Sequence, residues 1–117
     1  MSTLVLIRKP PFGCVDSWEG LRCSLSFYSS NSPVDIVLEG PGVFNMIRGM
    51  TPESKDPHSV SRLAKDIGKF EIPVYVLEED LMIYGLRPGD LISPSPEIIS
   101  KKILGEMIAS HETTIAV

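Results

Sequence analysis

Short uninterrupted apolar runs alternate along the chain with longer stretches in which apolar residues recur every three or four positions. The first run, Leu4-Val5-Leu6-Ile7, lies within residues 3–9 and reads as a strand covered on both faces. Pro10-Pro11-Phe12-Gly13 stops it, because neither proline can donate to a ladder and glycine permits a tight turn. Asp16 then opens a helix as its N-cap, with Glu19 at capping-box spacing and Trp18, Leu21, Leu25 and Tyr28 at helical intervals. The polar run 29–33 ends it. Val34-Asp35-Ile36-Val37-Leu38 is a second strand, closed by Glu39-Gly40-Pro41-Gly42, and residues 43–48 form a short helix stopped at Gly49.

Asp56-Pro57 sets an N-cap before a first-turn proline, and Val60, Leu63, Ile67 and Phe70 follow as a helical stripe. Residues 73–77 are the third strand, 78–84 a short helix closing at Gly85, and 90–92 a very short strand. Ser95-Pro96 repeats the N-cap and proline pair and predicts a helix with Ile99, Ile103 and Met107 inward, before a last strand over 113–117. Strands separated by helices imply a mostly parallel five-stranded sheet between helical layers, a three-layer α/β/α sandwich. Ligands of such sheets bind beyond the carboxyl ends of the strands, where the loops 10–14, 39–42 and 78–80 gather.

Composition narrows the picture. A chain of 117 residues with 43% hydrophobic and 22% charged residues folds as one domain and is not disordered. No window has the length of apolar sequence that spans a membrane. With 11 Lys and Arg against 15 Asp and Glu, and no basic cluster beyond Lys101-Lys102, a nucleic-acid partner is not expected. The first residues show no export signal, so Cys14 and Cys23 are read as free thiols in a reducing cytoplasm.

Candidate chemistry is sparse. Gly40-Pro41-Gly42 lacks the further glycine of a dinucleotide fingerprint and any Gly-Lys-Ser/Thr, and reads as a strand-to-helix turn. Cys14, Cys23, His58 and His111 have no paired metal-ligand spacing, and no Gly-x-Ser-x-Gly is present, so neither a metal, a cofactor nor a serine nucleophile is expected. Glu78, Glu79 and Asp80 either orient a substrate or cap the helix they open. Cys14 precedes the N-terminus of the first helix, where free N–H groups favour a thiolate, while Asp16 opposes the effect by like charge. Cys23 lies nine positions on, roughly 13 Å along a helix, too far for a disulfide. Core packing explains most of Phe44, Met46, Ile47 and Met50, but Val43, Phe44, Ile47 and Met50 exceed what so short a helix needs for its own core and so also suggest a subunit contact.

The strand running into Pro10-Pro11-Phe12-Gly13, the Gly20-Leu21 pair, the segment Glu39-Gly40-Pro41-Gly42-Val43-Phe44 and the short helix ending Tyr84-Gly85-Leu86 together resemble the DsrE/DsrF-like family, nearest its DsrF or TusC branch. The resemblance implies a small α/β/α subunit that assembles as a homo-oligomer, a trimer or hexamer, or with related subunits, and takes part in passing persulfide sulfur between cysteines. In sulfur-carrying members the active cysteine follows the third strand, where this chain has Leu77-Glu78-Glu79-Asp80. The resemblance therefore implies a supporting subunit, more a relay or binding subunit than an enzyme; Cys14, on a loop expected at the same edge, is the candidate substitute sulfur carrier by its position alone and not by the resemblance. Pro11, Phe12, Gly13, Gly40, Gly42, Glu78 and Glu79 are the binding residues expected at that edge. The alternative is an independent small-molecule-binding protein or enzyme whose pocket lies at the same edge.

Overall fold

The computed structural model describes residues 2–11, 15–48, 59–92 and 96–117. Every residue of β1 (Thr3–Ile7) is buried, as an apolar run covered on both faces requires. It pairs with β2 (Val34–Leu38) on one side and β5 (Thr113–Ala116) on the other, with Val5 opposite both Ile36 and Ile115. Beyond β2 lie β3 (Val74–Leu77) and then β4 (Glu97–Ile99). All four pairings are parallel, in the order β4-β3-β2-β1-β5.

Parallel neighbours need crossover connections, and right-handed crossovers place helices by the direction of each step. Steps from β1 to β2 and on to β3 run one way, and their helices α1 (Asp16–Ser29) and α2 (Val60–Lys69) share one face. There Leu21, Leu63 and Ile67 pack with Val5, Ile7, Ile36, Leu38 and Val76. The return from β4 to β5 crosses the whole sheet through α4 (Lys101–Ser110), whose Leu104 packs on Leu4, Leu6, Val37, Leu77 and Ile99 of the other face. A short helix, α3 (Glu78–Ile83), follows β3 directly.

Helix α1 lies close on the sheet because its inward positions are small. Ser17, Gly20 and Ser24 are buried beside Leu21, and a Cβ on Gly20 would stand 2.8 Å from Val117 Cγ2 and 2.9 Å from Ile7 Cγ1. Asp16 is its first helical residue and not its cap: Val15 precedes it and no side chain caps the end. Helix α2 is capped by Ser59, whose hydroxyl accepts from the Arg62 N–H at 3.1 Å. Asp56, Pro57 and Gly49 lie outside the described residues.

The segment after β2 is a 3-10 helix over Gly40–Met46, and Ile47 then forms an antiparallel bridge with Leu91. Leu91 thus leaves the main sheet, contrary to the strand expected over 90–92, because its partner is that bridge. The helix expected from Ser95-Pro96 begins later. Ser95 lies outside the described residues, Glu97–Ile99 extend to pair with β3, and Ser100 caps α4 by accepting from the Ile103 N–H at 3.3 Å. With that start Leu104 and Met107 face the sheet, and Ile103 is 40% exposed.

Candidate functional site at the carboxyl edge of the sheet

After β1 the chain runs through Arg8, Lys9, Pro10 and Pro11 along the carboxyl edge, with Pro11 half-buried. Phe12, Gly13 and Cys14 lie outside the described residues. The loop after β2 is pressed against this segment. A Cβ on Gly42 would fall 2.0 Å from the Ile7 carbonyl oxygen, and that carbonyl already accepts from the Glu39 N–H at 3.0 Å. Only glycine fits there. Gly40, at φ +55°, donates its N–H to the Asp80 carboxylate at 2.7 Å.

That bond divides the acidic cluster that opens α3. Asp80 is buried and ties the loop after β2 to the turn after β3. Glu79 reaches the start of α4, where its carboxylate accepts from the Lys101 N–H at 3.1 and 3.2 Å. This hydrogen bond holds the Glu79 carboxyl below its ordinary range. Glu78 is exposed. Gly40, Gly42, Glu78 and Glu79 therefore share one edge, and two of the three carboxylates serve backbone N–H groups.

A buried polar centre beneath the loops went unread in the sequence. The Asn45 amide nitrogen donates to the Lys9 carbonyl at 3.0 Å, the Gly42 carbonyl at 2.9 Å and the Ser17 hydroxyl at 3.1 Å. The Ser17 hydroxyl donates in turn to the Lys9 and Pro10 carbonyls at 2.6 and 3.0 Å. Two side chains thus fasten the exit of β1 to the first turn of α1 and to the 3-10 helix. The one signal for it was a lone amide inside the apolar run 43–47.

Val43 and Ile47, expected to offer a subunit contact, are instead core residues at 0% and 6% exposure, Met46 is core as expected at 3%, and Met50 lies outside the described residues. Phe44 packs edge-on against Tyr84, with ring centres 5.0 Å apart. The exposed apolar surface at this edge belongs to Met82, Ile83 and Tyr84 at the end of α3, together with Val15. Cys23 is half-buried within α1. Among the described residues no three His, Cys, Asp or Glu side chains gather as a metal site, and no helix is long and apolar enough to cross a membrane.

The opposite, amino edge holds two cavities of about 330 and 270 Å³ on either side of Glu71-Ile72-Pro73. Near them His111 bridges two acceptors. Its Nε2 lies 2.6 Å from the Asp35 carboxylate and its Nδ1 2.6 Å from the Met107 carbonyl. Burial lowers the His111 pKa, but both hydrogen bonds and the Asp35 charge outweigh it and leave it above the ordinary value.

The fold and its edge define a class: a five-stranded, all-parallel α/β protein whose loops converge beyond the carboxyl ends of β1, β2 and β3. No family model matches the chain. In sequence it is 27% identical over 90 residues to the intracellular sulfur oxidation protein DsrF of Allochromatium vinosum, across 76% of this chain and 66% of that protein, just under two thirds of its length. In structure it is similar to the ychN protein from E. coli, with a TM-score of 0.84 at 18% identity and full coverage of both chains. It is also similar to MTH1491, a protein of unknown function from Methanobacterium thermoautotrophicum, with a TM-score of 0.73 at 12% identity over 99% of this chain and 98% of that one. The sequence similarity is thus to DsrF, and the structural similarity shows that the all-parallel fold is shared.

Proposed function

We propose that this chain is a small cytoplasmic subunit of a sulfur-relay assembly, in which persulfide sulfur passes between cysteines of associated subunits, and that it supports a carrier rather than being one. The observation that carries the reading is the 27% identity with DsrF, a protein named for intracellular sulfur oxidation. The turn after β3 fits a supporting role. Glu78, Glu79 and Asp80 stand there, and Asp80 and Glu79 serve as joints to Gly40 and Lys101. A thiolate at that position would face like charge.

The partner is a related subunit that brings the thiol to this edge. Pro11, Gly40, Gly42 and Glu78 border its approach, and Met82, Ile83 and Tyr84 give it apolar surface. Two experiments on the intact chain test this. Co-expression with related subunits should yield a complex that survives purification. Treatment of the isolated chain with inorganic polysulfide, read by peptide mass, should leave Cys14 and Cys23 without lasting sulfur. Persulfide on Cys14 would make this chain a carrier and overturn the supporting role. Failure to bind any related subunit, with no sulfur taken up, would overturn the assembly itself.

A further inference from the structure

We infer that the outer edge of β5 is a self-pairing surface, through which two copies of this chain join their sheets antiparallel about a two-fold axis. The hydrogen bonds to β1 fix which groups are free. Thr113 donates its N–H to the Ser2 carbonyl at 3.1 Å, Val117 donates to Leu6 at 2.9 Å, and the Val117 carbonyl accepts from Arg8 at 3.1 Å. Backbone groups alternate in direction along a strand, so Ile115 also faces β1, while the N–H and C=O of Thr114 and Ala116 face outward. Among the described residues nothing meets these outward groups, and both side chains are exposed.

The two edges of the sheet differ in how they are guarded. At β4 the strand has three residues, follows Pro96 and begins with the exposed charge of Glu97, which are devices that discourage pairing. At β5 the stretch Thr-Thr-Ile-Ala-Val carries neither charge nor proline and is rich in β-branched residues. It is complementary to itself. An axis through Ile115 sets Thr114 opposite Ala116 of the second copy, and the outward groups then exchange hydrogen bonds on both sides of the axis. Ile115 meets its own copy at the position where side chains approach most closely.

The inference does not rest on the sulfur-relay reading. Sedimentation of the intact chain over about 10 µM to about 1 mM spans the range in which modest interfaces assemble. It should give a particle of an even number of 12.9 kDa chains. Thr114→Pro removes one outward N–H and leaves the bonds to β1 intact, as edge strands tolerate. It should halve the particle mass. Ala116→Lys should do the same while keeping every backbone group, and it decides the matter if Thr114→Pro fails to fold by circular dichroism. Glu97→Lys, at the other edge, should leave the mass unchanged. A wild-type monomer throughout the range, a mass unaltered in Ala116→Lys, or an equal loss in Glu97→Lys would each overturn the pairing. Sulfur labelling and subunit capture test the functional reading separately.

Discussion

Gly42 is fixed by one contact, the Ile7 carbonyl that a Cβ would strike at 2.0 Å. Relief requires backbone movement between β1 and the 3-10 helix, so Gly42→Ala should cost about 3 kcal/mol. Gly40 has open space around its Cβ position and only its φ of +55° to forfeit, so Gly40→Ala should cost about 1 kcal/mol. Chemical denaturation of both variants checks the ranking, which reverses if the Gly42 approach is not real. His111 gives a pH signature. Its folded-state pKa lies above the ordinary 6.5, so the stability it contributes is complete below about 6.5 and is lost as pH rises through the folded value. Melting temperature should fall on going from about pH 6 to about pH 8, and His111→Gln should remove that component. The glycine pair was legible as a turn, since strand ends and Gly-Pro-Gly are local signals. Asn45 and the His111–Asp35 pair were not. Asp35 and His111 are 76 positions apart, and nothing local to either reports the other.

Three helices end in one way. Asn31, Glu71 and Gly85 take φ of +59°, +56° and +66° just past α1, α2 and α3. In each case the next residue donates its N–H back into the last turn, Ser32 to Phe27, Ile72 to Ile67 and Leu86 to Leu81. This is the Schellman arrangement, which glycine fills without strain and asparagine tolerates, whereas glutamate pays for it. Glu71→Gly should therefore raise stability by about 0.5 to 1 kcal/mol, read as a higher melting temperature. The N-cap at Ser59 predicts a loss of about 1 kcal/mol for Ser59→Ala. Leu63→Ala and Ile67→Ala should each cost about 2 to 5 kcal/mol, while Lys101→Ala and Lys102→Ala stay within about 0.5. Thermal melts of the four variants test which face of each helix is buried. Strands β1, β2 and β3, with α1, α2 and α3, were readable because each combines a periodic pattern with local stop signals. The start of α4 was not, because Ser95-Pro96 and Ser100 both satisfy the rules of an N-cap. What selects Ser100 is the pairing of Glu97–Ile99 with β3, a long-range bond with no local trace.

The parallel sheet and its helical layers follow from the alternation of runs, but the order β4-β3-β2-β1-β5 does not. Alternation says that crossovers exist; which edge receives the final strand depends on where a buried seam remains open. That seam is β1, with Leu4, Val5 and Ile7 wholly buried between two neighbours. Strand ends are local signals, so the loops 39–42 and 78–80 could be set at the carboxyl edge, whereas the roles of Asp80 and Glu79 as joints between loops depend on partners distant in sequence and were not legible.

The adjacency of β1 and β5 has a consequence for synthesis on the ribosome. Of the five strands β1 emerges first and its second neighbour last, so the nascent chain carries an unsealed Leu-Val-Leu-Ile edge until β5 has been made. The native sheet is then completed only once β5 has left the ribosome. A chain halted after Ser110 should pellet, and holdase chaperones that grip extended apolar strands should accumulate on it, whereas the full chain escapes them within one round of synthesis.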